Sequence, residues 1–268
     1  MKMNNNEQNG VAARDPTKCR LCLGDICDVG QLCQSHIIPR FIFLKSKSDK
    51  GRMMVHDGGA GPAYQSQEDW KERMLCAKCE HRIKINFEDY LKDILYPRKR
   101  NSILVDGPDS IRVAAKTDQL ALSLLSIFWR AVVSTLPEFM WAVVPHYIEE
   151  DLRLWILGNT IPAKWQKLVL VKVVQIKGDN DQDIAFLMRP FARKKSDQTF
   201  DFVYICGGYC VVFTIPPPPN HTFLRSDALR PGSRIVRIRK VQYRTIPELS
   251  KAVDEMLKAG LRERASVD

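Results

Sequence analysis

Two Cys-x-x-Cys pairs, Cys19-Arg20-Leu21-Cys22 and Cys76-Ala77-Lys78-Cys79, bracket the turn Ser35-His36-Ile37-Ile38-Pro39. Zinc takes four tetrahedral thiolate or imidazole ligands, and two such pairs supply two thiolates each, which completes a closed structural site. The long separation between the pairs is compatible, since the intervening chain need only return. Leu23-Gly24 after the first pair reads as a knuckle, a tight turn whose backbone amides point at the sulfurs. Cys27 and Cys33 are either core thiols or one of them replaces a knuckle ligand. Cys206 and Cys210 fall in β-type runs and read as core.

These residues need elements to hold them. A short strand over 29–35 leads into His36 and ends at Pro39, and Arg40-Phe-Ile-Phe-Leu44 is an apolar run of ambiguous type. Residues 45–69 carry Gly51, Gly58, Gly59, Gly61 and Pro62 and read mainly as loop, with a short strand around Met53–His56. From the second knuckle a helix runs over 80–95, with Ile83, Phe87, Tyr90, Leu91 and Ile94 at spacings of three and four. Glu80, Lys84 and Glu88 lie along another of its faces, and Tyr96-Pro97 stops it. Arg98, Lys99 and Arg100 come next, as a phosphate contact or a solvated turn.

Residues 117–136 give the strongest helical pattern, apolar around most of the circumference except for a narrow stripe of Gln119, Ser123, Ser126, Arg130 and Ser134. Arg130 on that stripe is expected to pair internally with a carboxylate. A second helix covers 148–157 and ends at Gly158-Asn159. From residue 167 the period changes to strands over 168–176, 184–188, 200–206 and 209–215, with Gly207-Gly208 suited to a two-residue hairpin turn. Pro216–Pro219 form a stiff connector, a strand comes next over 234–241, and Thr245-Ile-Pro-Glu248 opens a last helix over 246–259. The expected fold class is α+β: an N-terminal zinc-bound ββα module of the treble-clef kind, then a helical segment and an antiparallel sheet. The expected organisation is a disordered tail over 1–16, the zinc module over 17–100 and an α+β domain over 101–268.

The composition sets the partner. A net charge of +10 and a pI near 9.2 make nucleic acid the first partner to consider, because clustered Lys and Arg release counterions from phosphates. Residues 1–100 hold 18 Lys and Arg against 13 Asp and Glu, so the excess is spread over the chain; residues 189–240 are denser, with ten against three. Candidate phosphate contacts are Arg40, Arg98, Lys99, Arg100, Arg193, Lys194, Lys195, Arg237 and Arg239. The apolar stretch 120–144 is interrupted by Arg130, Pro137 and Glu138 before it reaches the roughly 20 residues of a membrane span. Paired cysteines with no apolar signal segment before them fit a reducing compartment, so a cytoplasmic location is expected.

Cys-x-x-Cys, then Ser35-His36-Ile-Ile-Pro39, then Leu75-Cys76-x-x-Cys79-Glu80-His81 resembles the HNH endonuclease superfamily in its zinc-stabilised form, over about residues 17–95. The resemblance implies a phosphodiester hydrolase in which His36 is the general base that activates water. It also implies a catalytic Mg²⁺ or Mn²⁺ beside the structural zinc, acting on nucleic acid, with DNA preferred over RNA. Ser35 stands where the family carries a metal ligand, so Glu80, His81 or Glu88 would substitute, with His56 as a further candidate. The family's middle Asn has no match in 50–70, and Asn86 is displaced onto the helix. A Ser-His-apolar-apolar-Pro module joined to such a helix–sheet segment is similar to bacterial genome-defence (antiviral) or mobile-element nucleases, many of which wait on a regulatory partner protein. The alternative is a zinc-structured module that binds nucleic acid or protein without catalysis.

Overall fold

A computed structural model describes residues 15–47, 53–56, 64–66, 69–97, 103–182, 187–188, 190–195, 198–218 and 227–255. The tail before residue 15 and the basic triplet Arg98, Lys99 and Arg100 lie outside the described residues.

The first part of the chain builds a two-stranded sheet and a long helix. After a short helix α1 (Ile26–Val29), strand β1 (Leu32–His36) pairs antiparallel with β4 (Lys71–Cys76), in a register that sets Ser35 against Glu72 and His36 against Lys71. Between them Pro39, which cannot continue a strand ladder, opens helix α2 (Arg40–Ser46). The run of ambiguous type is therefore helical, and it buries Ile42, Phe43 and Ser46. Two further strands come next, β2 (Met53–His56) and β3 (Tyr64–Ser66), the second of which the glycine-rich composition concealed. Beyond Cys76 the chain turns into α3 (Ala77–Ile83), a π-helical turn over Lys84–Glu88, and α4 (Asp89–Leu95).

The remaining strands are β5 (Ile103–Asp106), β6 (Ser110–Ala114), β7 (Leu170–Lys177), β8 (Leu187–Met188), β9 (Phe191–Lys194), β10 (Phe200–Cys206), β11 (Tyr209–Ile215) and β12 (Ile235–Gln242). They join β2 and β3 in one ten-stranded sheet of order β3-β2-β8-β10-β11-β7-β12-β6-β5, with β9 on β10. The expected antiparallel sheet needs correcting in two places: β12 pairs parallel with β7, and β2 pairs parallel with β8. Both parallel pairs join strands far apart in sequence, so no hairpin signal announces them. The β10–β11 hairpin has the expected ends, and its Gly207 and Gly208 both have positive φ, 58° and 87°, as a type I′ turn requires. A Cβ on Gly207 would also lie 2.1 Å from the Tyr96 hydroxyl, which donates to the Gly207 carbonyl at 2.7 Å.

Helix α5 (Thr117–Val133) lies between the two parts, and α6 (His146–Gly158) packs beside it. From Leu120 to Val133 every residue of α5 is buried. Phe128 meets the sheet, 4.8 Å from the Phe213 ring and 5.0 Å from Phe202. The opposite, polar stripe meets the helix that begins after Cys76: Gln119 Nε2 donates to the Asn86 carbonyl at 2.7 Å, and Arg130 Nη1 donates to Glu88 Oε1 at 2.7 Å. The main core is continuous from Cys19 through α5 to Ile238, while a second apolar cluster on the far sheet face is covered by the helical residues 247–255. No helix among the described residues is long and apolar enough to cross a membrane.

Candidate metal centre and histidine cluster

The sulfurs of Cys19, Cys22, Cys76 and Cys79 all lie within 4.8 Å of one another. A zinc–sulfur tetrahedron with bonds of about 2.3 Å has edges of about 3.8 Å; Cys22 and Cys76 sit 3.9 Å apart. The donor chemistry, four sulfurs with three of the residues buried, fits a structural dication such as zinc. The knuckle is shaped for it: the Leu23 N–H donates to the Cys19 carbonyl at 2.8 Å, Leu23 itself is left-handed at φ 61°, and the Cys76 N–H donates to Cys19 Sγ at 3.3 Å. A Cβ on Gly24 would lie 2.7 Å from Val29 Cγ1, so any larger residue after Leu23 would require Val29 to move. The hydrogen bond from the Cys79 thiol draws the Cys19 pKa down and pushes that of Cys79 up. A dication bound by the four sulfurs would displace their thiol protons.

Three arginines fasten this module to the helices behind it. Arg20 donates to the Val133 carbonyl at 2.6 Å and to Glu72. Arg153, paired with Glu150, donates to the knuckle carbonyl of Leu21 at 2.7 Å, and Arg82 donates to the Leu157 carbonyl. The bonds from Arg20 and Arg82 satisfy carbonyls at the C-terminal ends of α5 and α6 that have no partner within their helices. Glu72 also accepts from Ser134 Oγ, Thr135 N and Thr135 Oγ1 at 2.7–2.9 Å. Burial raises the Glu72 pKa, and these donors more than reverse it.

His36 ends β1 on the rim of the module. Its Nε2 lies 3.4 Å from Asp69 Oδ2, and the same oxygen lies 3.0 Å from Lys71 Nζ. Its carbonyl accepts from Arg130 Nη1 at 2.6 Å. Burial is the main cause that pulls the His36 pKa below its ordinary 6.5, and Lys71 adds to it; Asp69 and Glu88 offset part of the fall. The shift favours the neutral imidazole. At Asp69, burial raises the carboxyl and the bonds from Lys71 and His36 outweigh it, leaving an anion.

The other acidic candidates are engaged elsewhere. Ser35 is fully buried, and its hydroxyl donates to Glu80 Oε2 at 2.6 Å. The residue standing where the resembling family has a metal ligand is therefore the hydrogen-bond partner of Glu80. Burial raises the Glu80 pKa, against the pull of Ser35 and Arg130. Glu88 is the ion-pair partner of Arg130, whose side chain is fully buried, as the polar stripe predicts. His81 is exposed on α3. Among the described residues the four cysteines are the one group of three or more His, Cys, Asp or Glu ligand atoms that converges. The arrangement does not fit a second metal held by Glu80, His81 and Glu88 together. His56 lies in β2, paired with Met188 of β8.

The basic candidates fall in two places. Arg40 is exposed at the start of α2, which lies a short turn beyond His36. Arg193, Lys195, Arg237 and Arg239 lie on the sheet face turned away from α5: Arg237 and Arg239 alternate with Val236 and Ile238 of the inner core, and Arg193 pairs across from Asp201, the neighbour of inner-core Phe202, which Lys195 also reaches. There Arg193 and Lys195 lie 3.7 and 3.3 Å from Asp201, Arg239 bonds Asp227 at 2.6 Å, and Arg237 donates to Ser110 Oγ at 3.1 Å. Lys194 is exposed on β9. The structure thus does not bring this group together with His36. Compared with known proteins, the chain matches no family profile, no curated protein and no solved structure.

Proposed function

We propose that the chain is an HNH-type endonuclease hydrolysing nucleic-acid phosphodiesters, DNA in preference to RNA, with its ββα module in the treble-clef form. The observation that carries the reading is the placement of a largely buried imidazole, His36, at the end of a strand pair that runs into a helix through a four-cysteine cluster. A histidine held neutral near pH 7 takes the proton of an attacking water, which typically contributes about 10²–10⁴-fold to a rate. Asp69 is the residue that sequence reasoning missed. With the hydrogen of His36 on Nε2 directed at Asp69, the lone pair on Nδ1 is left for the water. Zinc in the cysteine centre would fix the knuckle and the helix, and so the end of β1, without touching substrate.

The net charge of +10 supports a polyanionic substrate, and Arg40 and Lys71 lie on the His36 side of the molecule. The family resemblance would add a Mg²⁺ or Mn²⁺ ion; Glu80 and Glu88 are occupied by Ser35 and Arg130, so no step is assigned to it.

The test is to incubate the zinc-loaded chain with supercoiled plasmid and with RNA, in Mg²⁺, Mn²⁺ or EDTA, beside His36→Ala. Nicking that falls at least about 100-fold in His36→Ala is the expected result. Nicking that the substitution leaves unchanged would overturn the assignment of the base. Salt-sensitive binding without cleavage of any substrate would instead favour a non-catalytic zinc module.

A further inference from the structure

Lys71 is the Cα partner of His36 across β1 and β4, and residues paired in this way project from the same face of the sheet. Asp69 joins the two: one carboxylate oxygen lies 3.0 Å from the ammonium and 3.4 Å from the imidazole. The His36 and Asp69 side chains are 19% and 17% exposed, whereas that of Lys71 is 40% exposed. The carboxylate and imidazole therefore sit low and the ammonium stands at the solvent edge above them.

An isolated surface Lys–Asp pair is worth little to stability, which makes stability a poor account of this arrangement. Its charges do suit an incoming phosphodiester. Asp69 is neutralised by Lys71, the imidazole is uncharged, and the negative charge of Glu88 is taken up by Arg130. The Lys71–Asp69 pair is neutral as a whole, so a substrate anion arriving at His36 meets an ammonium donor at the rim and no net negative charge among these groups. Anchored donors aimed at developing charge account for large parts of many enzymatic rates.

The geometry points to Lys71 as a catalytic residue whose Nζ seats the scissile phosphate beside His36 and takes up charge on its non-bridging oxygens. Asp69 is then a positioning residue that aligns ammonium and imidazole. This inference rests on the nuclease reading above. In the step itself a bond forms from water oxygen to phosphorus as the bond from phosphorus to the departing sugar oxygen breaks. His36 Nδ1 takes the proton of the water, and the departing oxygen takes one from solvent. Lys71 Nζ carries three N–H donors, so it keeps Asp69 with one and turns another to the phosphate.

The experiment measures cleavage of supercoiled plasmid and of bis(p-nitrophenyl) phosphate by the zinc-loaded full chain, against pH, for wild type, Lys71→Met, Lys71→Arg and Asp69→Asn. Lys71→Met is expected to lower kcat about 100- to 1000-fold, the loss typical of removing one such donor, with KM changed less than about threefold. Lys71→Arg is expected to recover at least about a tenth of the wild-type rate. Four groups act on His36 here, Asp69, Lys71, Glu88 and Arg130, the last through the His36 carbonyl. Without the Lys71 charge the imidazole holds its proton to higher pH, so the acid limb moves up; in Asp69→Asn it moves down. Wild-type kcat and an unmoved acid limb in Lys71→Met would overturn the role of Lys71 and leave the nuclease reading standing. A wild-type chain that cleaves neither substrate would overturn both.

Discussion

At the scale of single residues the candidate site depends on the protonation of His36. Because burial lowers its pKa, the acid limb of kcat/KM against pH is expected below 6.5, the ordinary value, with full activity retained at pH 7. The sign for stability comes from the same shift: the unfolded chain binds a proton at His36 more readily than the folded one. The fold therefore loses stability as pH falls from about 6.5 toward the lower folded value, and gains nothing from this group above that range. Urea unfolding at pH 7.5 and 5.5 checks this, and His36→Gln should flatten that part of the difference. Arg130 presents a different residue-scale problem, a fully buried cation with Glu88 as counter-ion and an Nη2 that has no partner among the described residues. Arg130→Met would leave Glu88 and the His36 carbonyl without their donor, at a cost of about 3 kcal/mol or more. The check is a lowered melting midpoint; Arg130→Lys should restore part of it, since both acceptors meet at the one nitrogen Nη1 and an ammonium has three donors.

At the scale of elements, the helix after Cys76 explains how Glu80 and Glu88 come to share one neighbourhood. In a regular α-helix eight residues leave two side chains about 80° apart. Here the Asp89 N–H donates to the Lys84 carbonyl, a five-residue step, so the π turn absorbs one residue. The spacing then behaves as seven residues, and the two side chains fall within about 20° of one face, both near Arg130. Ile85 is exposed within the widened turn and contributes little packing there. Deleting Ile85 should close the turn into regular helix and keep Glu88 on Arg130, with zinc content unchanged and the melting midpoint nearly so. Deleting Arg82, one turn earlier, should rotate the C-terminal remainder of the helix by about 100° and abolish both. The helix was legible in the sequence from its apolar spacing, and the polar stripe of α5 foretold an internal partner for Arg130. The π turn was not legible, because nothing local in Lys84–Glu88 demands it; it is set by the fit against α5, where Gln119 takes the Asn86 carbonyl. Asp69 and Lys71 were hidden for a related reason. They meet His36 only through the register of β1 on β4, across an insertion that leaves Asp69 33 positions away. Strands β3 and β5 are three and four residues long, and the pairing of β5 with β6 is bulged, so their short runs carry no period to recognise.

At the scale of the whole molecule, the zinc module shares both its core and its edges with the C-terminal two-thirds of the chain. Strands β2 and β3, drawn from the segment between the two knuckles, are built into the large sheet. The helix after Cys76 buries its inner face on α5, and Gly207 is pinned between Ser46 and Tyr96. A fragment over residues 15–97 would expose that apolar face to water, at about 25 cal/mol for each Å² uncovered. The fragment is therefore expected to bind zinc through its cysteines yet to give no cooperative melting transition. The full chain should melt in one transition that zinc and α5 hold in common. Cys76→Ser, which removes one ligand and the sulfur beside Cys22, should reduce zinc from about one equivalent and lower the midpoint of that single transition. Core probes outside the ligand set, such as the fluorescence of Trp129 within α5, should report the same midpoint as zinc release. Two separated transitions, with zinc lost while Trp129 keeps its native signal, would show instead that the arginine contacts of Arg20, Arg82 and Arg153 are too weak to couple the metal centre to α5 and α6.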